Sequence, residues 1–205
     1  MVEKRTMIVY VVTYPTPKEI KSLVNIQDDD VIIGVDQAVF YLYKQRIRID
    51  LAVGDFDSLK QQGLLHTIKT EKLPVKKDMT DTFYALTRAY EMSPDQVILL
   101  GGDAGERIEH MIVHMMLFHH FPSLKMITDQ SILYMSSQSL KVTHHGFINI
   151  FPYPEATVTL KGFEYPLDNY HMKPFDMLGI SNQLIHDAGD IIIHEGTILI
   201  IETKE

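Results

Sequence analysis

A short apolar run passes directly into an acidic, glycine-containing turn at residues 49–58, which read IDLAVGDFDS. The apolar half is typical of a buried strand, and Gly54 gives the backbone freedom to turn at its end. In an open α/β sheet, ligands bind beyond the carboxyl ends of the strands, where this turn would lie. Asp55 and Asp57 are two residues apart, so both carboxylates can approach one hard cation such as magnesium. The simpler interpretation is a loop in which Ser58 caps a following helix.

Apolar strand-like runs alternate with helical patterns through the first two thirds of the chain. This alternation predicts an α/β domain with a mostly parallel sheet. The predicted strands cover residues 7–12, 31–35, 49–53, 70–75, 97–100, 125–128 and 132–135. The predicted helices cover residues 18–24, 37–45, 57–65, 80–90 and 107–120.

The pattern changes after about residue 135, where the helical period disappears and short apolar runs replace it. We therefore expect an α/β domain over residues 1–135 and a small antiparallel β domain over residues 136–205. Within the second domain, Gly196 follows His194 and Glu195 between two apolar runs. Because glycine tolerates a positive φ, this segment predicts a hairpin turn.

Composition restricts the class of protein. The 205 residues are 45% hydrophobic, enough for a buried core, and include no cysteine, which excludes disulfides and thiolate metal sites. No apolar stretch approaches the ~20 residues of a membrane span, and no signal segment is recognisable. The net charge of −8 argues against general nucleic-acid binding. We expect a soluble, cytoplasmic protein that binds neither nucleic acid nor membrane.

A second acidic cluster lies at residues 77–81, which read KDMTD. Thr80 can cap the helix that follows. Asp78 and Asp81 are three residues apart, so both can face one point at the start of that helix. The simpler interpretation is an ordinary capped helix with acids near its positive end.

A glycine-rich turn at residues 101–110, GGDAGERIEH, is the third candidate. Glycines allow close backbone approach, free N–H groups at a helix start attract phosphate, and Arg107 offers a guanidinium fork. The pattern is neither a P-loop nor the dinucleotide fingerprint. His110 and His114 share one helix face and could bind zinc, but no third ligand has a recognised spacing. Partly buried or surface imidazoles are the preferred interpretation.

Taken in order, the motifs GDFDS, KDMTD and GERIEH resemble those of the thiamine pyrophosphokinase family. The C-terminal segments GFEYPL at residues 162–167 and GISN at residues 179–182 extend the resemblance, which spans Asp36 to Ile201. It implies transfer of the pyrophosphoryl group of ATP to the hydroxyl of thiamine, with release of AMP. The implied fold is a Rossmann-like, three-layer α/β domain followed by a β-sandwich. A homodimer with active sites between subunits is also implied.

The resemblance assigns a role to each motif residue, with Mg²⁺ as the cofactor. The implied catalytic residues are Asp55, Asp57, Asp78, Asp81 and Arg107. The implied metal ligands are Asp55, Asp57 and Asp81. The implied ATP-binding residues are Asp36, Thr80, Gly101, Gly102, Arg107, Glu109 and His110. The implied thiamine-binding residues are Asp81, Ser181 and Asn182.

Three positions depart from the family pattern. Gln37 and Ala38 replace two glycines, Glu109 replaces an aspartate, and Phe83 replaces a glutamate that is often present. Two alternatives therefore stay open: a related pyrophosphokinase acting on a pterin-type alcohol, and a non-catalytic sensor of thiamine or nucleotide. The sequence also leaves open which acid acts as base and which binds metal.

Overall fold

The computed structural model describes residues 6–59, 61–103 and 108–205. Contacts within the chain divide it into two units, Met1–Asp129 and Gln130–Glu205. The division lies slightly ahead of the change in sequence pattern near residue 135, so the strand predicted at residues 132–135 belongs to the second unit. The functional domain division at residues 135/136 stays a prediction.

The first unit contains a sheet in which every neighbouring pair of strands is parallel. The spatial order is β6-β5-β1-β2-β3-β4. Most of these strands are continuous apolar runs that are almost fully buried, as expected for a parallel sheet covered on both faces. Their carboxyl ends therefore meet at one edge. The strands are β1 (Ile8–Val12), β2 (Val31–Val35), β3 (Leu51–Gly54), β4 (Thr70–Lys72), β5 (Gln96–Leu100) and β6 (Lys125–Ile127).

In the described part of the first unit, four α-helices accompany this sheet: α1 (Ile20–Leu23), α2 (Ala38–Lys44), α3 (Asp81–Glu91) and α4 (Ile108–His120). The predicted cap of α3 is confirmed, because Thr80 Oγ1 accepts a hydrogen bond of 3.1 Å from the Phe83 backbone N–H. Helix α3 packs against β1, β2, β3 and β5, and α2 packs against β2. Within the described residues, no helix combines the length and the apolar character needed to cross a membrane.

The helix predicted at residues 57–65 is wrong. Among the described residues after the acidic turn, the chain forms a 3₁₀ helix, Gln62–Thr67, and no α-helix that Ser58 could cap. Phe56 adopts a left-handed backbone conformation with φ of 59° and packs with Val39 and Ala52 in a small buried cluster. Burial of Phe56 bends the chain inward at the point where a helix would have to begin.

The second unit is an antiparallel sheet in the order β10-β9-β11-β7, with β8 also paired to β11. Its core is built from alternating apolar residues of the two longest strands, including Val158, Leu160, Ile191 and Ile198. Such alternation is typical of antiparallel sheets. The strands are β7 (Ser131–Ser136), β8 (Leu140–Val142), β9 (Phe147–Lys161), β10 (Leu167–Met172) and β11 (Gly189–Thr203).

The hairpin predicted at His194, Glu195 and Gly196 is also wrong, because β11 runs unbroken through these residues. Its pairing with β9 instead shifts register on both sides of Glu195 and Gly196. Gly196 has φ of +82°, and a Cβ there would lie 2.2 Å from the carbonyl oxygen of Glu155. The glycine therefore marks a bulge, where a positive φ and close approach of two strands are both required.

Candidate active site at the ends of β2, β3 and β4

The buried side chain of Phe56, which lies between Asp55 and Asp57 in the sequence, anchors the acidic turn after β3. Phe56 is only 2% exposed, and its inward position leaves the flanking Asp55 and Asp57 outside the core. Gly54 precedes them with φ of +151°, and a Cβ there would approach Asp36 Oδ1 to 3.0 Å. Glycine is favoured at this positive φ and in this close approach, which brings the ends of β2 and β3 together.

Asp36 completes the cluster from the end of β2. Its backbone N–H donates to the Val53 carbonyl (2.8 Å), and its Oδ1 accepts from the Phe56 N–H (3.0 Å). As a result, one carboxylate oxygen from each of Asp36, Asp55 and Asp57 lies within 4.8 Å of the others. The sequence assigned Asp36 to the nucleotide and missed it as a possible metal ligand. Its position directly after a strand parallel to β3 was the available signal.

The loop after β4 adds a cation and a fourth acid. Lys77 Nζ lies 3.4 Å from Asp55 Oδ2 and 3.1 Å from Asp81 Oδ1. The Asp81 Oδ1 atom is buried, and its ion pair with Lys77 lacks hydrogen-bond geometry. Asp81 therefore has a buried oxygen with remaining capacity to bind a ligand. Sequence reasoning assigned Lys77 no role, and its place in the KDMTD motif was the only signal for it.

Burial and the neighbouring charges together shift the pKa values of Asp36 and Asp55 in opposite directions. Burial, together with the neighbouring charge of Asp55, raises the pKa of Asp36 to about 6. For Asp55, burial acts to raise the pKa, but the backbone N–H of Asp57 and the charge of Lys77 lower it overall. For Lys77, burial acts to lower the pKa, but Asp81 and Asp55 raise it overall. The site is thus a set of crowded carboxylates partly compensated by one ammonium group.

Two residues of the KDMTD motif stand outside this arrangement. Asp78 is exposed and is not among the three carboxylates that share one small volume. Thr80 uses its hydroxyl oxygen to cap α3. The cap fixes the first turn of the helix, where Asp81 begins, so Thr80 contributes to the position of Asp81.

The glycine-rich turn after β5 uses the N–H groups of its first two glycines within the fold, and the helix start predicted to attract phosphate lies largely outside the described residues. Gly101 N–H donates to the Ile127 carbonyl and Gly102 N–H donates to the Pro15 carbonyl, both at 2.9 Å. Both residues have positive φ, and a Cβ on Gly102 would lie 2.5 Å from His114 Nδ1. These glycines permit close packing rather than N–H donation to a ligand. Arg107 lies outside the described residues.

The histidines of α4 do not form a metal site with one another. His114 is buried, and its Nδ1 lies 2.7 Å from the Gly102 carbonyl, so this nitrogen carries the proton and donates it. The ring of His110 is 6.5 Å away and perpendicular to it. Glu109 is exposed on the same helix. Within residues 6–59, 61–103 and 108–205, the only metal-type group of His, Asp or Glu residues is the aspartate trio.

The predicted thiamine-binding residues lie in the second unit. Ser181 is exposed, has φ of 55°, and its N–H donates to Asn149 Oδ1 at 2.8 Å. Asn182 is 2% exposed, and its amide both accepts from the Tyr165 N–H and donates to the Tyr165 carbonyl. The Asn182 side chain is therefore used within the fold, whereas Ser181 is an exposed residue.

Two family models match the chain. The thiamin pyrophosphokinase catalytic domain matches residues 24–128, and the thiamin pyrophosphokinase vitamin B1 binding domain matches residues 138–198. A thiamine pyrophosphokinase of Bacillus subtilis is 30% identical over 192 residues, covering 84% of this chain and 87% of that protein.

Solved structures share the same fold. A thiamine pyrophosphokinase from Bacillus subtilis superposes with a TM-score of 0.81 at 25% identity, covering 97% of this chain and 99% of that one. A thiamin pyrophosphokinase from Geobacillus thermodenitrificans gives 0.78 at 25% identity, covering 97% and 98%. A thiamin pyrophosphokinase family protein from Enterococcus faecalis gives a TM-score of 0.81 at 22% identity, covering 98% of this chain and 100% of that one, which shows likeness of fold.

Proposed function

Because the chain belongs to the thiamine pyrophosphokinase family, whose enzymes transfer pyrophosphate to thiamine, we propose that its aspartate cluster binds the magnesium complex of ATP for this reaction. The observation that carries the proposal is the convergence of Asp36, Asp55 and Asp57 within 4.8 Å at the ends of two neighbouring strands. Three independent acids at the ligand-binding edge of a parallel sheet suit a divalent ion and the phosphates it carries.

The donor set fits Mg²⁺. Magnesium binds oxygen at about 2.1 Å in octahedral geometry, so two of its ligands lie at most about 4.2 Å apart. The aspartate oxygens lie within 4.8 Å of one another, so small side-chain rotations bring them into this range. Asp81 lies outside this 4.8 Å group, and its buried Oδ1, paired with Lys77, is proposed as a further ligand atom. We propose Asp55, Asp57 and Asp81 as ligands, as the sequence predicts, and add Asp36.

In the proposed reaction, the thiamine hydroxyl oxygen attacks the β-phosphorus of ATP and the bond to the α-phosphate oxygen breaks, releasing AMP. The bound ion supplies charge neutralisation for the phosphate chain and the departing AMP. The aspartates keep this charge in one place, and the cap from Thr80 maintains the position of Asp81. Asp78 or Asp81 orients the hydroxyl and accepts its proton. Positioning and electrostatics therefore supply most of the rate enhancement.

The nucleotide would extend toward the turn after β5. Strand order reverses between β1 and β5, and doubly wound sheets bind ligands at such a point. Because the N–H groups of Gly101 and Gly102 are already used, the proposed contribution of these glycines is space for close approach. Arg107, Glu109 and His110 keep their predicted roles as phosphate and nucleotide contacts.

The finer organisation is proposed along with the chemistry. Residues 1–135 would form a Rossmann-like, three-layer catalytic domain, and residues 136–205 a β-sandwich that binds thiamine and dimerises. The vitamin B1 binding match at residues 138–198 supports the thiamine role. An exposed apolar segment supports a homodimer, and it comprises Phe175, Met177, Leu178 and Ile180. Active sites between the subunits are proposed from the family resemblance. A cytoplasmic location is proposed as well.

Chromatography of the reaction products tests the proposal. Purified protein is incubated with magnesium-ATP and either thiamine, a hydroxymethylpterin, or no acceptor. AMP and thiamine diphosphate should appear in equal amounts with thiamine only, and chelation of the metal should abolish both. AMP formation with the pterin instead would reassign the substrate, and ligand binding without AMP would indicate a sensor. Light scattering after gel filtration reports the oligomeric state.

A further inference from the structure

Lys77 is enclosed among acids that the proposed function assigns to metal binding. Its side chain is 14% exposed, and those of its partners Asp55 and Asp81 are 12% and 19% exposed. Its Nζ also donates to the carbonyl of Pro74 at 3.0 Å, within its own loop. The ammonium group is therefore hydrogen-bonded to Asp55 and Pro74 and ion-paired with Asp81, and the two acids belong to different elements of the site.

Carboxylates this close together repel one another unless a cation lies between them. In the part of the chain that the structure describes, Lys77 is the cation paired with Asp55 and Asp81. It connects the turn after β3 to the start of α3, two segments more than 20 residues apart. Lys77 thus provides the positive charge that allows these acids to approach before a divalent ion is present.

The same contact conflicts with metal binding. An ion that uses oxygens of Asp55 and Asp81 lies about 2.1 Å from them, so it competes with the ammonium group for the same lone pairs and repels its charge. The long, flexible lysine stem allows Nζ to move away while the backbone of the loop stays in place. Phosphate oxygens bound to the ion would offer the Lys77 ammonium group negatively charged acceptors in place of the carboxylates.

We propose that Lys77 is a positioning residue that takes the place of the divalent ion between Asp55 and Asp81 and passes to the phosphate chain when the ion binds. The proposal rests on the proposed function only for its second half, the transfer to phosphate. Its first half concerns metal binding alone. The two halves predict opposite effects of removing the charge: tighter binding of the free ion and slower turnover.

The test removes the charge of Lys77 while keeping a side chain of similar length. In Lys77→Met, Mn²⁺ binding without nucleotide, followed by the electron paramagnetic resonance signal of free Mn²⁺, should tighten about tenfold, because the competing cation is gone. The turnover number with thiamine should fall at least about tenfold, with little change in the KM for thiamine. Lys77→Arg should bind Mn²⁺ as the wild type does. Lys76→Met, an exposed neighbour in the same loop, should match the wild type in both measurements.

The outcomes separate the two halves. Mn²⁺ binding that is unchanged or weaker in Lys77→Met overturns the competition between Lys77 and the divalent ion. Circular dichroism shows whether the methionine variant folds, and Lys77→Gln provides the same comparison if it does not. Tighter Mn²⁺ binding with an unchanged turnover number overturns the transfer to phosphate. A wild-type protein that binds Mn²⁺ but forms no AMP contradicts the proposed function, while the metal-binding comparison still decides the first half.

Discussion

The carboxylate of Asp36 accepts a hydrogen bond of 3.0 Å from the backbone N–H of Phe56, twenty residues further along the chain. This contact joins the end of β2 to the acidic turn after β3. It sets the direction of the backbone between Asp55 and Asp57, while the Phe56 ring anchors the same turn in the core. A single side chain is therefore both a support for the acidic turn and a member of the acidic cluster.

We expect Asp36→Ala to destabilise the protein by about 2 kcal/mol, because an N–H loses a charged acceptor and alanine is disfavoured at the positive φ of this residue. Asp36→Asn is the matched control, since asparagine keeps an acceptor oxygen and tolerates this conformation. It should cost less than half as much. Urea unfolding of both variants measures the difference, and equal losses would show that the hydrogen bond does not support the turn.

Asp55→Asn should reduce turnover by about 10²- to 10³-fold while leaving the fold intact. The substitution removes a charge that holds the divalent ion, yet it also relieves repulsion among the aspartates. Lys77 keeps its contacts with Asp81 and Pro74. Product formation, Mn²⁺ binding and thermal unfolding are measured together. Asp28→Asn, at an exposed turn outside the cluster, serves as the control. AMP release close to the wild-type rate would remove Asp55 from the metal site.

Ser181→Ala should raise the KM for thiamine several-fold and change the KM for ATP little, because the exposed Ser181 hydroxyl is proposed to contact thiamine alone. The backbone bond from Ser181 to Asn149 does not depend on the hydroxyl, so the local fold should persist. Ser137→Ala, another exposed serine of the second unit, is the control. Steady-state kinetics with each substrate varied in turn provides both constants. Equal changes in the two would argue against a place in the thiamine pocket.

His114 should make stability depend on pH. Burial, opposed by the bond to Gly102 and reinforced by the charge of His110, lowers the pKa of His114 below the ordinary 6.5. The unfolded chain therefore binds a proton here at a higher pH than the folded protein does. The contribution of His114 to the free energy of unfolding is fully present above pH 6.5, and it is lost as the pH falls toward the pKa of His114 in the folded protein.

The melting temperature of the wild type should consequently fall more steeply below pH 6.5 than that of His114→Gln. All other ionisable groups are the same in the two proteins, so the difference between the two slopes isolates His114. Differential scanning calorimetry at pH values from 5.5 to 7.5 makes the comparison. Parallel slopes would mean that His114 titrates in the folded protein as it does in the unfolded chain.

Local patterns predicted the elements that local physics controls. The apolar runs that became β1, β2 and β5 are hydrophobic on both faces. Thr80 caps α3 through a hydrogen bond to a residue only three positions further along the chain. The errors arose where a distant contact overrode the local signal. Burial of Phe56 replaced a helix by a turn, and pairing of β11 with β9 converted the turn signal at Gly196 into a bulge.

The sequence by itself determined the mostly parallel character of the first sheet, the family and the acids at the strand ends, because strand periodicity and motif spacing are properties of neighbouring residues. The tertiary structure alone decided which charges meet. Asp36 joins Asp55 and Asp57 because β2 and β3 pair in parallel, and Lys77 reaches Asp55 because β4 pairs with β3 on its other side. Strand pairing brings together residues that are far apart along the chain, and no local pattern carries that information.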